Sequence, residues 1–364
     1  MPRISDIINE IEQFAPLSLQ ESYDNAGLQI GNPDAEAEAA LLCLDVTEAI
    51  IDEAASRGCN LVVTHHPLLF RGIKRIGINS ERERIIIKAI EYGITIYSAH
   101  TNLDNASRGV SHEIASRLGL SDIKVMVPQQ GRLLKLVVFT PKNYARRLSA
   151  ALFAAGAGAF RNYNSCSFES EGNGSFRPCE GANPFIGELG EIHIEPEIRQ
   201  EFLISNDIKS RVVAALIATH PYEEPAFDLI PLDNASLDTG TGVVGNISPM
   251  PVAEFLDMLK KQMNVSSLRY SQGRSSTVSR VAICSGSGAE FIGNAIRSRA
   301  DVYITGDVKY HDFTEKGSDI IIADIGHFES ELCTKEIFYR IITEKFPNFA
   351  TYYSENEKNP INYL

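Results

Sequence analysis

The chain has 364 residues, 44% of them hydrophobic and 22% charged, which is enough apolar surface for a packed core and excludes general disorder. Its 47 acidic residues outweigh 34 basic ones for a net charge of −13, which argues against a nucleic-acid partner, because phosphate binding needs a basic footprint. No apolar run approaches the ~18 residues of a membrane helix, the N-terminal MPRISDIINEIEQ lacks the apolar core of a secretory signal, and six cysteines without a C-x-x-C pair predict reduced thiols and a cytoplasmic location.

The first clear elements lie in residues 39–66, AALLCLDVTEAIIDEAASRGCNLVVTHH, which read as strand, loop, helix and strand. LLCLDV and NLVVTH are continuous apolar runs, as expected of strands covered on both faces. After His65 and His66 come a loop, a helix over about 79–92 and the strand ITIYSAH. The middle of the chain differs. Residues 132–139 predict a strand and 141–155 a helix entered through Pro. A strand around RNYNSCSF, a Gly/Asn/Ser-rich stretch and a strand around EIHIEP follow, then a helix over 207–218 and the strand PAFDLIPL. That β-α-β-β-α-β order predicts a ferredoxin-like α+β domain over 130–235. Residues 280–307 then echo 39–66 without a gap, Cys284 aligning with Cys43 and Thr305 with Thr64. A loop, the strand IIIADIGH and a helix over about 328–344 complete the second half. The expected architecture is α/β, with two similar α/β halves, 1–129 and 236–364, around the inserted domain.

Polar residues fall at the carboxyl ends of these apolar strands, where open α/β sheets build their sites. His65 and His66 are adjacent at a strand tip, where the turning chain can direct two imidazoles to points a few ångströms apart. His100 and Asp104 are four apart, as are His327 and Glu331, a spacing that on a helix places both side chains on one face. Each motif alone has an ordinary structural explanation; three together favour one site. Imidazoles with carboxylates suit Zn, Fe, Mn or Co rather than a thiolate or all-oxygen site. Two such ions would lower the pKa of water, and His100 would be a ligand or an acid/base beside it. In ITGDVKYHDF, Asp307 and Lys309 are candidate substrate contacts and His311 a candidate proton carrier. Lys74 and Arg75 read as solvated charge. The SGSG at 285–288 reads as a tight turn, and HPYEEP at 220–225 as a Pro-bounded turn into a strand.

The segments SYDNAGLQIG (22–31), VVTHHPLLF (62–70), AHTNLDNASRGV (99–110), ITGDVKYHD (304–312) and GHFESE (326–331) closely resemble the NIF-three-like family, also described as GTP cyclohydrolase I type 2 homologs. Segments 161–187 and 220–226 resemble the PII/CutA-like domain that longer members insert between their halves. The resemblance implies that His65, His66, Asp104, His327 and Glu331 hold two divalent metal ions, with Glu331 touching both and His100 next to them. It implies a homohexamer, a toroid of two stacked trimers, and a metal-dependent hydrolase in which water attacks a purine nucleotide; a two-metal centre would serve a phosphoester hydrolase equally well. The alternative is a non-catalytic metal-binding regulator whose inserted domain senses a ligand or gates the cavity. Three positions depart from the family: Tyr23 stands where Trp is usual, and Asp307 and Tyr310 where Glu and His are common.

Overall fold

In the computed structural model, which describes residues 1–362, the apolar runs become central strands with every residue buried. The chain forms two units, Met1–Pro128 with Leu237–Leu364, and Gln129–Ser236. The first opens with β1 (Gly27–Ile30), β2 (Ala39–Cys43), β3 (Leu61–Thr64), β4 (Thr95–Ser98) and β5 (Ser121–Pro128). The second contains β6 (Leu133–Pro141), β7 (Ser167–Phe176), β8 (His193–Ser205) and β9 (Phe227–Pro231). The chain returns to the first unit with β10 (Gly240–Pro251), β11 (Arg269–Tyr270), β12 (Thr277–Ser287), β13 (Val302–Gly306), β14 (Ile321–Asp324) and β15 (Ala350–Tyr353).

The first unit holds two sheets, ordered β1-β4-β3-β2-β15 and β11-β14-β13-β12-β10-β5. Strands β2, β3 and β4 are mutually parallel, as are β12, β13 and β14, and each trio ends on a short antiparallel strand, β1 or β11. The sequence echo has a structural counterpart. Cys43 pairs with Thr64 and Ile283 with Ile304, partners twenty-one positions apart in both halves. Alternate residues of these strands serve opposite faces. Leu42, Val63, Ile283 and Ile304 enter one core shared by both sheets. Leu41 and Val62 pack into a separate cluster behind the first sheet, and Ala282 and Tyr303 into another behind the second. Burial on both faces is why these runs show no polar alternation.

Helix starts follow local chemistry. Thr47 accepts from the Ile50 amide to open Glu48–Ser56, and Ser80 with Glu83 closes a capping box on Glu81–Glu91, the helix expected near 79–92. The N-terminal segment, for which no element was expected, is a helix, Ile4–Phe14. It buries Ile4, Ile7, Ile8 and Ile11 in the shared core. The single helix expected over 328–344 is two, His327–Glu331 and Thr334–Lys345. The loop expected after Asp307 includes a helix, Tyr310–Lys316, whose first amide, Lys309 N–H, donates to Asp312. No helix among the described residues is long and apolar enough to cross a membrane, and all six cysteines are free.

The second unit runs β6, helix Ala145–Ala154, β7, β8, helix Lys209–Thr219, β9. Its sheet is ordered β7-β8-β6-β9 with every pair antiparallel. Leu134, Leu136, Val138 and Phe202 join Leu148, Leu152 and Leu216 of the two helices in its core. One strand departs from expectation. The strand placed around 161–168 runs Ser167–Phe176, through the Gly/Asn/Ser stretch. Continuous backbone pairing with β8, from Ser167↔Phe202 to Phe176↔His193, makes it a strand despite its exposure.

Candidate metal centre

The candidate residues emerge from three strand ends. His65 and His66 directly follow β3 and stay in register with the neighbouring chain, their amides donating to Cys43 O and Leu44 O. His100 and Asp104 bracket the short helix Thr101–Asp104 after β4. His327 opens and Glu331 closes the short helix after β14, entered through Gly326 at φ 91°. These six converge. His66, His327 and Glu331 form one group, His65, Asp104 and Glu331 a second, and His65, His66 and His100 a third; the ligand atoms within each lie within 4.8 Å of one another.

The imidazoles are oriented from behind. The Nδ1 of His65 lies 2.7 Å from Ala99 O, that of His66 2.8 Å from Asp45 Oδ1, that of His100 2.8 Å from Asp24 Oδ1, and that of His327 2.7 Å from Asp307 Oδ2. An acceptor at Nδ1 fixes the proton there and presents the other nitrogen forward. In front, Glu331 Oε2 is 2.9 Å from Nε2 of both His66 and His327, and those two nitrogens are 3.4 Å apart. His65 Nε2 stands 3.7 Å from Glu331 Oε1 and 3.8 Å from Asp104 Oδ1. It is fully buried and has no hydrogen-bond partner. A buried nitrogen facing two carboxylates without a bond to either has the surroundings of a metal ligand. Gly286 (φ +63°) completes the cradle: a Cβ there would sit 2.1 Å from Glu331 Oε1. The donor set and the space both fit a metal ion.

Within the cluster, the histidines and carboxylates offset one another's charge. Burial alone would lower the pKa of His66, but Asp45 and Glu331 outweigh it and hold the group at about 10. His327 is likewise held at about 9 against its burial, by Glu331 and Asp307. Burial would raise Glu331, yet His65, His327 and His66 keep it well below the usual carboxylate range. Asp104 moves up, through burial first and repulsion from Glu331 in addition. Asp24 is held at about 2, its burial offset by hydrogen bonds from His100 and Thr101.

The other candidates distribute unevenly. Asp307, read as a substrate contact, is the buttress of His327 and adopts a left-handed φ of 55°. Lys309 and His311 are exposed, and neither shares a hydrogen bond or ion pair with the cluster among the described residues. Sequence reasoning missed the buttresses Asp24 and Asp45. The amides of the SGSG turn are consumed internally, Gly286 N–H by Ser330 Oγ and Gly288 N–H by Thr305 Oγ1, so it offers no phosphate cradle there. His220 is buried with both ring nitrogens engaged, by Phe139 O and the Tyr222 amide, and serves its turn.

Fold and cluster together define a mixed α/β protein whose strand ends gather imidazoles and carboxylates able to hold a metal ion. The model of the Duf34/NIF3 (NGG1p interacting factor 3) family matches residues 2–360, and the chain belongs to that family. It is 36% identical to a Bacillus subtilis protein named GTP cyclohydrolase 1 type 2 homolog, over 98% of each chain. A Halalkalibacterium halodurans protein of the same name is 41% identical over 88% of this chain and 87% of its own. The solved structure of a Bacillus cereus protein related to NIF3 matches with a TM-score of 0.87 at 34% identity, covering 100% of this chain and 99% of that one.

Proposed function

We propose that this protein is a dinuclear-metal hydrolase resembling GTP cyclohydrolase 1 type 2, holding two divalent ions of the Zn, Fe, Mn or Co type. The observation that carries the reading is the overlap of two ligand groups on one carboxylate: His66 and His327 on one side of Glu331, His65 and Asp104 on the other. When bound, such a pair lowers the pKa of water and offsets negative charge developing on a substrate. The chain's own residues do the rest. Asp45, Asp307 and the Ala99 carbonyl keep three imidazole Nε2 atoms turned inward. His100, braced by Asp24, has its second nitrogen available to carry a proton beside the ligands.

The reaction this arrangement suits is addition of water to the imidazole ring of a purine nucleotide, followed by ring opening. Two exposed rings support a planar substrate. Phe70 lies 6.1 Å from the His100 ring, and Tyr23 lies 6.4 Å from Phe70. Lys309 and His311, exposed just beyond Asp307, are assigned to the substrate's anionic end and to a second proton transfer. The same reading takes 130–235 as a ferredoxin-like, PII/CutA-like domain inserted between the halves 1–129 and 236–364, supported by the β-α-β-β-α-β order of the second unit and its strand order β7-β8-β6-β9. It takes the assembly as the family's toroidal homohexamer, which sedimentation would check.

The deciding experiment couples elemental analysis of the purified chain to turnover of a nucleotide panel headed by GTP. Two ions per chain and GTP ring opening are expected, both lost in Glu331→Ala. Stoichiometric metal without turnover of any nucleotide would leave metal binding standing and overturn the hydrolase.

A further inference from the structure

The second unit contains a cavity of about 710 Å³, far from the motifs that define the metal cluster in sequence. Its origin is a change of chemistry across one sheet. Even-numbered positions of β6 pack on the two helices, Leu134, Leu136 and Val138 among them. The opposite face carries Phe139, which pairs with Arg199, and Glu197, which pairs with Gly172. Gly172 and Gly174 stand side by side on this face, in the middle of β7. Glycine weakens a strand interior and marks places where something else approaches the backbone. A Cβ on Gly172 would touch nothing within 4 Å, so the floor of the cavity is bare backbone under open space. Phe185, Ile186 and Tyr222 also line it. The rings of Phe176 and Phe185 lie 5.7 and 6.3 Å from that of Tyr222.

One polar group inside this aromatic enclosure is left half-used. Glu197 is only 8% exposed, and its Oε1 accepts from the Tyr222 hydroxyl at 2.9 Å. Its Oε2 has no hydrogen-bond donor among the described residues and lies over Gly174, where a Cβ would approach it to 2.2 Å. That oxygen reaches accessible space, since the fully buried polar atoms without a partner do not include it, and it is open to a donor from a ligand. The surrounding charge favours a positive donor. Four carboxylates and two guanidiniums line the cavity, and Arg199 is already paired with Glu201 at 2.9 Å. Concave shape, aromatic walls and a single well-placed polar anchor are the marks of a small-molecule site.

We propose that this cavity binds a small planar cation, an aromatic or heteroaromatic amidine, whose N–H groups donate to Glu197 Oε2 while its ring fills the open space over Gly172. The proposal is independent of the hydrolase reading. Benzamidine is the probe and benzoate its anionic counterpart of equal size, each titrated calorimetrically into the full-length, metal-loaded chain. Saturable benzamidine binding is expected, at least tenfold tighter than benzoate. Glu197→Gln should weaken it at least tenfold. Gly172→Val adds a strand-favouring side chain to empty space and should abolish binding with the melting curve and metal content unchanged. Absence of benzamidine binding, equal binding of benzoate, or binding unaffected by both substitutions would overturn the proposal.

Discussion

An imidazole can give a metal only the nitrogen that carries no proton, so the group behind the ring matters as much as the ring. In this protein each of four histidines has its Nδ1 against an oxygen, three of them carboxylates. Removing such a partner costs metal sites roughly 10–100-fold in affinity. Asp45→Ala should therefore weaken metal binding by about that factor, read by competition with a chromophoric chelator, while Asp52→Ala, a surface ion pair with Lys88, should not. Parent-like affinity in Asp45→Ala would refute the buttress. Gly286→Ala makes a sharper case, because it removes no ligand. Its methyl group would displace the Glu331 carboxylate, and lost metal with an intact far-ultraviolet spectrum is the expected result. The gathering of His65, His66, Asp104, His327 and Glu331 was legible, because polar residues at the ends of apolar strands stand out. Asp24 and Asp45 were not, since a carboxylate 76 or 21 positions from its histidine carries no local pattern.

At the scale of elements, apolar runs were the reliable guide and exposed backbone the poor one. β2 and β3 announced themselves by burial on both faces, whereas β7 owes its form to pairing with β8 and to glycines that leave one face bare. Helix Ile4–Phe14 was overlooked although its isoleucines at 4, 7, 8 and 11 have helical spacing. The C-terminal edge of the first sheet shows how one side chain secures an element. β15 lies parallel to β2, and just beyond it the buried Glu53 carboxylate accepts from Ser354 Oγ at 2.7 Å, Glu355 N–H at 3.0 Å and Asn356 N–H at 3.2 Å. Burial would raise the Glu53 pKa, but these bonds and Arg57 outweigh it and hold the carboxyl below 4.5. The sign follows from linkage: with the folded pKa depressed, the clamp's stabilisation is present above the unfolded value and is lost as pH falls through the folded one. Hydrogen-exchange protection of 350–357, measured against the intrinsic rate at each pH, should fall on acidification below about pH 4.5. Glu53→Gln should show fast exchange already at pH 7, a loss of about 1–3 kcal/mol of local stability. Protection factors of 350–357 that do not change with pH in the parent chain would rule the clamp out.

For the whole molecule, the sequence echo foretold two related halves but not how they join. The joining is a single core to which both sheets contribute alternate residues, sealed by helices such as Ile4–Phe14 and Thr334–Lys345, and no pattern within either half specifies that partnership. The site lies on the same division. His65 and His66 extend from β3 of one sheet, while His327 and Glu331 follow β14 of the other. An ion held by both therefore cross-links the two sheets, and the folded state alone can assemble that ligand set. At a free concentration 100 times its dissociation constant such an ion contributes about 2.7 kcal/mol to stability. For a unit of this size that corresponds to roughly 5–10 °C in melting temperature. Calorimetry of the metal-loaded chain with and without chelator should show a downward shift of this order. The shift should be confined to the transition of the first unit, because the second contributes no ligand and two units need not melt as one. Restoring the metal should reverse it. Glu331→Ala should start at the lower temperature and ignore the chelator, since the carboxylate shared by both ligand groups is gone. A chelator shift of equal size in Glu331→Ala, or none in a parent chain shown by elemental analysis to carry metal, would mean that the ions sit elsewhere and that the two sheets are held by their apolar core alone.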